Sequence, residues 1–546
     1  MKIGILIKDF NRLSNSELRV VNSIINDSYL ELSLLIKDGR NDKGGLKAKK
    51  NKIKHLLQSG NILGRLLLKI QILIEKKIFT GQLTVNKRYI IRELNKIKTI
   101  ELFPERRGFS DIFNDRECKR VKDFNLDVIL KYEFSTIKGS LLNAAKYGIW
   151  AFCYGKISTE SLAGFRETLL KQKSVAVILQ QLIPDGAKTI DKALFNRHWS
   201  FIKTNRLVLE ASVSVLLKNI KRLQEGNYNQ DDLPVCCNRN YKHPEFLDVI
   251  RYAFGFYKML IVKLIERINM KMFGARYVCW TLFIGEGNFL DSSLFKLKPV
   301  NLPKNEFWAD PFIINYKNEN YVFFENYNYK QKKGKISCGI IRNKQLEGIT
   351  DVLNLDYHLS YPYVFKENGE IFLMPETSNN NRLELYRCIS FPDKWELYST
   401  AFEGEKVGEA FFYNDDTNQK WLFINKQADS NTTMDSELFI YRVNDLRMNN
   451  MEAHKQNPVI INSEKARNAG CIFKYKDSLY RPSQSNIDGI YGRALNINKI
   501  EKLTIDEYLE KNIITIFPDF EKNLIATHHL HQSNNMFLID AAYKKR

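Results

Sequence analysis

The chain has 546 residues, 44% of them hydrophobic and 27% charged, with 83 Lys and Arg against 62 Asp and Glu for a net charge of +21. That length calls for more than one core, and the mixture excludes a disordered, collagen-like or coiled-coil chain. The positive excess admits an anionic partner: nucleic acid, phospholipid headgroups or sugar phosphates.

From the N-terminus, apolar runs at 2–7 and 30–36 flank a helix-compatible stretch at 14–25, predicting a strand–helix–strand unit. A basic insert follows. Between Asp38 and Lys98 there are 16 Lys/Arg and 4 Asp/Glu, so more than half of the net charge sits there, with Lys47, Lys49, Lys50, Lys52 and Lys54 in one cluster. The cluster reads as a solvated face. It leaves a peripheral contact with an anionic membrane open, and it carries no nucleic-acid-binding motif. Strands at 127–130, 148–153 and 174–182, with a helix at 138–146, continue an open α/β sheet over 1–195. In such sheets ligands sit beyond the carboxyl ends of the strands, which points to Lys8-Asp9, 151–155 and 184–186. No GxGxxG loop supports a dinucleotide.

Residues 196–276 read as a helical connector. Val213, Leu216, Leu217, Ile220 and Leu223 recur at helical spacing, and a second helix at 246–273 sets Arg251, Lys258, Lys263, Arg267 and Lys271 among apolar residues. Such a helix packs on its own domain or lies on an anionic membrane.

Residues 277–546 carry an internal repeat. Its markers are Asp310, Tyr361, Glu409, Asn468 and His528, and second strands end at Glu325, Glu376, Asn425 and Ser483, 15 or 16 residues after the first four markers, and at Asp540 after the fifth. Repeats of about fifty residues built from short strands predict a five-bladed β-propeller. The five markers then surround one central pocket, with Glu325, Glu376, Arg481 and Gln484 as a second ring. Carboxylates bind sugar hydroxyls, and Trp308, Tyr361 and Tyr363 offer stacking faces. His528, His529 and His531 are too few ligands for a metal site, so no metal is expected. The 8 Cys are scattered without a CxxC pair. With neither a signal-peptide core nor a membrane-length apolar run, a reducing cytoplasm is the expected location, with the inner membrane face as a variant of it.

The segments FWADPF, HLSYPYVF, IFLMPETS, ARNAG and LYRPSQ resemble the N-terminal domain of plant glucosamine inositolphosphorylceramide transferase and its bacterial relatives, over about 300–540. That domain is similar in turn to five-bladed arabinanase/fructosidase propellers. The resemblance implies an acid in blade one, which Asp310 matches, and another in blade three, which Glu409 matches. It implies a general-acid Glu in blade four, where this chain has Asn468. With that proton donor missing, glycan binding or a non-hydrolytic role is expected over hydrolysis.

The stretches DVILKYEFSTIKGSLLNAAKYGIWAFCYG and VAVILQQLIPDGAKTI resemble the N-terminal domain of folate-dependent formyltransferases, over roughly 1–190. This resemblance implies N10-formyltetrahydrofolate as cofactor and an Asn-x-His pair with a later Asp. Asp185 keeps the Asp position. Ala151 and Cys153 stand at the pair, or Phe152 and Tyr154 in the neighbouring register, so the pair is absent. The combined expectation is a carbohydrate-handling protein of bacterial surface-glycan biosynthesis. A degenerate formyltransferase-like domain is joined to a propeller that binds a saccharide or sugar nucleotide. Its candidate catalytic residues are Asp310, Glu409, Asp185 and Cys153. Its substrate-binding residues are Trp308, Tyr361, Glu376, Asn468, Arg481 and His528. Two alternatives stand beside it: an active sugar N-formyltransferase using Cys153, Tyr154 and Asp185, and a non-catalytic scaffold that docks a glycosyltransferase.

Overall fold

The structure is a computed structural model that describes residues 1–9, 13–40, 62–107, 110–132, 134, 136–155, 162–226, 235–236, 244–533 and 535–545. The lysine cluster at 47–54 lies outside the described residues. Two compact units form, Met1–Met259 with Asp429–Thr432, and Leu260–Ala428 with Thr433–Arg546.

The first unit is built on an eight-stranded sheet with strand order 235–236, 186–196, 174–183, 149–154, 128–131, 2–7, 31–38, 99–102. The last five of these run parallel. Lys2–Ile7 is buried on both faces after its first residue, as expected of a parallel strand covered on each side. Helix Asn15–Asn26 starts at a capping box, in which the Ser14 side chain accepts from Glu17 N–H while the Glu17 carboxylate accepts from Ser14 N–H. Helix Phe201–Gln224 packs against this helix and on strands 174–183 and 186–196.

The sequence leaves strand direction open, and one expected helix needs correction. Strand Ser174–Ile183 runs antiparallel to Ile149–Tyr154 and forms a hairpin with Gly186–Asn196, so the sheet is mixed. A parallel return needs a crossover that carries the chain back to its starting end, and the described chain between these strands holds only the five-residue helix Phe165–Leu169. The helix expected at 138–146 is a single 3-10 turn, Ser140–Asn143. Gly139 precedes it at φ 90, outside the helical region, and strand Thr136–Lys138 occupies the approach.

In the second unit five antiparallel sheets follow one another. The first has strands Glu306–Tyr316, Glu319–Asn328, Lys333–Arg342 and Gln345–Leu353, and the second Ser360–Glu367, Glu370–Glu376, Leu383–Ser390 and Lys394–Ala401. The third is built on Val407–Asn414, Lys420–Lys426 and Glu437–Val443, and the fourth on Phe473–Tyr475, Ser478–Ile487, Ile490–Leu503 and Tyr508–Ile516. The fifth joins the two ends of the unit, because Tyr277–Glu286 pairs antiparallel with Met536–Lys545 along its whole length. Short inner strands Leu524–Ala526 and Leu530–Ser533 complete that sheet. Four four-stranded sheets and one of five strands, with the final blade closed by strands from both ends, are consistent with a five-bladed propeller.

Two-residue hairpins at Lys317-Asn318 and Asn343-Lys344 hold both central residues at positive φ, the turn whose twist matches that of the flanking strands. The apolar core lies between the sheets. One cluster, including Phe312, Phe323, Leu373, Phe411 and Phe423, spans the first three blades.

Candidate functional site

The site begins with a shared backbone irregularity. In the first three blades the inner strand pairs regularly except at one point, between Ala309 and Phe312, Ser360 and Tyr363, and Gly408 and Phe411. At these bulges Asp310, Tyr361 and Glu409 have φ of 51°, 45° and 48°, a left-handed conformation that is uncommon outside glycine. Pro311 and Pro362 fall within two of the bulges, where the ladder has no use for their missing N–H. A bulge re-aims its side chain out of the strand alternation, and repetition in three blades gathers the three markers at one place. Backbone strain of this kind concentrates at functional sites.

Hydrogen bonds then tie the blades together. Tyr361 N–H donates to Asp310 Oδ2 at 3.2 Å, and Asp310 N–H donates to Asp540 Oδ2 at 3.0 Å. Asp540 Oδ1 accepts from the N–H groups of His528 and His529 at 3.1 and 3.0 Å. Its carboxylate also holds His528 Nδ1 at 2.8 Å. The His528 ring stacks on Trp280 with centroids 3.8 Å apart.

On the other side, Glu409 Oε1 accepts from Arg467 Nε at 2.6 Å and from Gln484 Nε2 at 3.1 Å. Arg467 also lies 3.5 Å from Glu376 Oε2, and its guanidinium sits 5.1 Å from the centre of the Tyr491 ring. Gly408 makes room for this arrangement. A Cβ there would stand 2.4 Å from Glu376 Oε2.

Two buried carboxyl oxygens in this cluster, Asp310 Oδ1 and Glu409 Oε2, receive no hydrogen bond from the protein. His529 Nδ1 is 3.5 Å from Asp310 Oδ1. Polar atoms this deep are usually paired in native proteins, so these oxygens are open to a water or a bound group.

Burial and like charge separate the two acids. Burial pushes the Glu409 carboxyl up to about 8, with the Glu376 and Asp310 charges adding and Arg467 opposing. Burial raises Asp310 to about 6, with Asp540 and Glu376 adding and His528 opposing. Both acids are therefore held above the ordinary carboxyl range, Glu409 further than Asp310. Glu409 accepts through Oε1, so any proton that it holds sits on Oε2, while an ionised Asp310 offers Oδ1 as an acceptor. Burial also raises Glu325 well above the ordinary range, helped by the Asp310 and Glu376 charges. Burial works to discharge His528, but Asp540, joined by Asp310 and Glu409, more than offsets it, and His528 is raised. His529 falls to about 3 on burial and stays neutral.

Asp310, His528 and Asp540 each place one ligand atom within 4.8 Å of the others, a span that a cation could bridge. Asp540 is already engaged by three N–H groups and the imidazole, so an ion would compete with bonds that hold the blades.

The cluster unites Asp310, Glu376, Glu409 and His528 from the predicted set, with Tyr361 as a strut. The Tyr361 hydroxyl donates to Gly470 C=O at 2.9 Å, and its ring is wholly buried. Trp308 is core as well, packed on Phe324 at 4.6 Å among Leu282, Ile313 and Leu538. Tyr363 is buried with its hydroxyl on Phe412 C=O. None of the three presents a stacking face. Tyr491, 45% exposed beside Arg467, does.

Asn468 and Arg481 are fully buried and saturated. Asn468 Nδ2 donates to Glu409 C=O at 2.8 Å, and Arg481 binds Asn468 Oδ1 and both oxygens of Glu510. They hold the marker strands. Arg467, Tyr491, Trp280 and Asp540 are the participants that sequence reasoning missed. The available signal for Arg467 was its place immediately before the fourth marker.

The structure does not bring Cys153 and Asp185 together. Cys153 pairs with Ile178 and Ile149 pairs with Leu182, so the chain runs away from Cys153 before it reaches Asp185. Five strand residues and then the turn separate Ile178 from Asp185, roughly 17 Å of strand at about 3.4 Å per residue. Asp185 is exposed in the hairpin turn at the opposite end of the sheet. Cys153 is half-buried, with its thiol 3.6 Å from Gly155 C=O.

Residues 296–535 match the family described as glucosamine inositolphosphorylceramide transferase 1, N-terminal. Glucosamine inositolphosphorylceramide transferase 1 of Oryza sativa subsp. indica is 34% identical over 214 residues, 38% of this chain and 28% of the rice protein. The Arabidopsis thaliana protein of the same description is 31% identical over 216 residues, again 28% of its length. The match thus spans little more than a quarter of these relatives. Among solved structures, a thermostable family-43 glycoside hydrolase aligns with 44% of this chain and 90% of its own at 10% identity and a TM-score of 0.34. A Bombyx mori GH32 β-fructofuranosidase aligns with 41% and 55% at 9% identity and a TM-score of 0.30. The five-blade assignment rests on the chain's own sheet topology. What the sequence comparison establishes is that the region holding the carboxylate cluster is similar to the N-terminal domain of plant sugar transferases.

Proposed function

We propose that the propeller recognises a saccharide through its axial carboxylate cluster, as the sugar-binding part of a glycan-transfer activity. The observation that carries this reading is the pair of unpartnered buried oxygens, Asp310 Oδ1 and Glu409 Oε2. An ionised Asp310 is an acceptor and a protonated Glu409 a donor, and a sugar hydroxyl is both. Tyr491 supplies a ring for the apolar face of a pyranose, and Arg467 keeps the second acid in place. The similar plant proteins are described as glucosamine transferases, which makes glucosamine, N-acetylglucosamine and their uridine diphosphate conjugates the first compounds to try.

The same pair favours a second reading. Two neighbouring carboxyl groups pushed to different values are the usual arrangement for general acid and general base, with Glu409 as the acid and Asp310 as the base. The lack of an acid at Asn468 supports binding or transfer over hydrolysis. Surface-glycan biosynthesis at the cytoplasmic side, with a glycosyltransferase as partner, is the setting this reading implies.

For the N-terminal sheet we propose that any folate-related ancestry is without formyl transfer. Cys153 and Asp185 lie at opposite ends of the sheet, and the paired Asn and His are absent. Incubation with N10-formyltetrahydrofolate and amino-sugar nucleotides is expected to give no formyl product.

A thermal-shift screen of the compounds above tests the saccharide reading. A ligand at a hundred times its Kd should stabilise the folded chain by about 2.7 kcal/mol. No shift with any sugar or sugar nucleotide would count against it. Release of free sugar from aryl glycosides, lost in Glu409→Gln, would favour the acid–base reading instead.

A further inference from the structure

Two helices carry their apolar residues outward. Helix Ile62–Ile78 buries Gly64, Leu68, Gln71 and Glu75, and exposes Ile62, Leu63, Leu66, Ile70 and Leu73, the last by 62%. This inverts ordinary amphipathicity, since a helix of a water-soluble domain turns its apolar stripe to the core. The inversion is stabilised from within. Glu75, the helix's single acid, accepts from Tyr252 OH at 2.5 Å, Ser200 Oγ at 2.6 Å and Gln71 Nε2 at 3.1 Å. With Glu75 buried, the charges left on the outer face are Lys69, Lys76 and Lys77, all positive and all exposed.

Helix Phe246–Phe273 repeats the pattern over 28 residues. Val249, Tyr252 and Phe256 are its buried residues, and none from 257 to 273 is buried. Leu247, Ile250, Phe254, Tyr257, Ile261, Leu264, Ile265, Ile268 and Met272 recur every three or four residues along one exposed side, Phe254 by 73%. At 100° per residue Arg251 and Lys258 fall along one edge of this stripe and Lys271 along the other. The helix has five basic residues against two acidic ones.

We propose that each of these helices lies in the surface of a bilayer rich in anionic phospholipid, with its apolar stripe among the upper acyl chains and its lysines and arginines at headgroup level. Three observations select this occupant over another protein. The stripes are long, continuous and edged with positive charge, which is the surface that an anionic interface attracts. Five lysines between 47 and 54 precede the first helix in sequence, and polybasic segments of this kind are drawn to such a surface. No helix among the described residues is long and apolar enough to cross a membrane, so the mode is to lie on the surface. The inference is independent of the saccharide site.

The test is flotation of the full chain with vesicles of phosphatidylcholine alone and of phosphatidylcholine mixed with phosphatidylglycerol. Two triple variants are compared, Leu66→Ser with Ile70→Ser and Leu73→Ser, and Phe254→Ser with Ile261→Ser and Ile265→Ser. All six positions are exposed, and circular dichroism verifies that both variants fold. Wild type is expected to float with the mixed vesicles, less so at high salt, and each variant to bind about tenfold more weakly or worse. Wild type remaining soluble with both vesicles, equal flotation with neutral vesicles, or unchanged binding by both variants would overturn the proposal. A concentration-dependent dimer, abolished by the same substitutions without any vesicle binding, would assign the stripes to a second copy and overturn it too.

Discussion

Glu409→Gln offers the sharpest thermodynamic test of the axial cluster, because it removes a titration while keeping shape. Glu409 is 2% exposed, and its folded-state value rises from the ordinary 4.5 to about 8. A folded value above the unfolded one means that the native chain holds the proton more tightly. The resulting stabilisation is complete below about pH 4.5 and is lost as pH rises through about 8. At about 1.4 kcal/mol per pH decade the loss is roughly 5 kcal/mol. For a unit of this size that corresponds to a melting temperature roughly 10 °C lower. Gln keeps an acceptor for Arg467 and Gln484 and cannot ionise. Differential scanning calorimetry of the full chain from pH 5 to pH 9 should therefore show wild type losing roughly 10 °C more than Glu409→Gln. Parallel pH profiles for the two proteins would refute the assignment of a proton to Glu409.

Other substitutions separate the cluster from the core around it. Gly408→Ala drives a methyl against Glu376 Oε2 and should cost about 1–3 kcal/mol, read as a lower melting temperature with weaker saccharide binding. Trp308→Phe should cost about 1–3 kcal/mol from the core, with saccharide affinity unchanged in the same preparation. Tyr491→Ala should do the reverse. Loss of about 1 kcal/mol of ring contact weakens binding about fivefold, and the melting temperature stays within about 2 °C.

The propeller could be read from the sequence because one strained residue recurs in every early blade. Asp310, Tyr361 and Glu409 share a backbone conformation, and each hairpin sets the next strand at a fixed register, so spacing alone located the ring. The neighbours of those markers were misread for the same reason. A bulge shifts the inside–outside alternation, which puts Trp308 and Tyr361 into the core instead of along a binding face. Asp540 was visible only as the end of a strand. Its role depends on the closure in which Tyr277–Glu286 pairs with the C-terminal strand, a long-range fact that local pattern does not contain. In the N-terminal sheet, apolar runs marked the strands at 2–7, 128–131, 149–154 and 174–183. A short buried strand has the same composition whichever way it runs, and the antiparallel direction of Ser174–Ile183 is what parts Cys153 from Asp185.

The central claim is that Asp310 and Glu409 bind a saccharide, and calorimetric titration of the full chain with the best compound from the glucosamine and sugar-nucleotide screen tests it most directly. Wild type should bind it at pH 7. Asp310→Asn and Glu409→Ala should each lose at least about tenfold in affinity, equivalent to about 1.4 kcal/mol. Equal affinity in wild type and both variants would show that the cluster holds the blades together and nothing else.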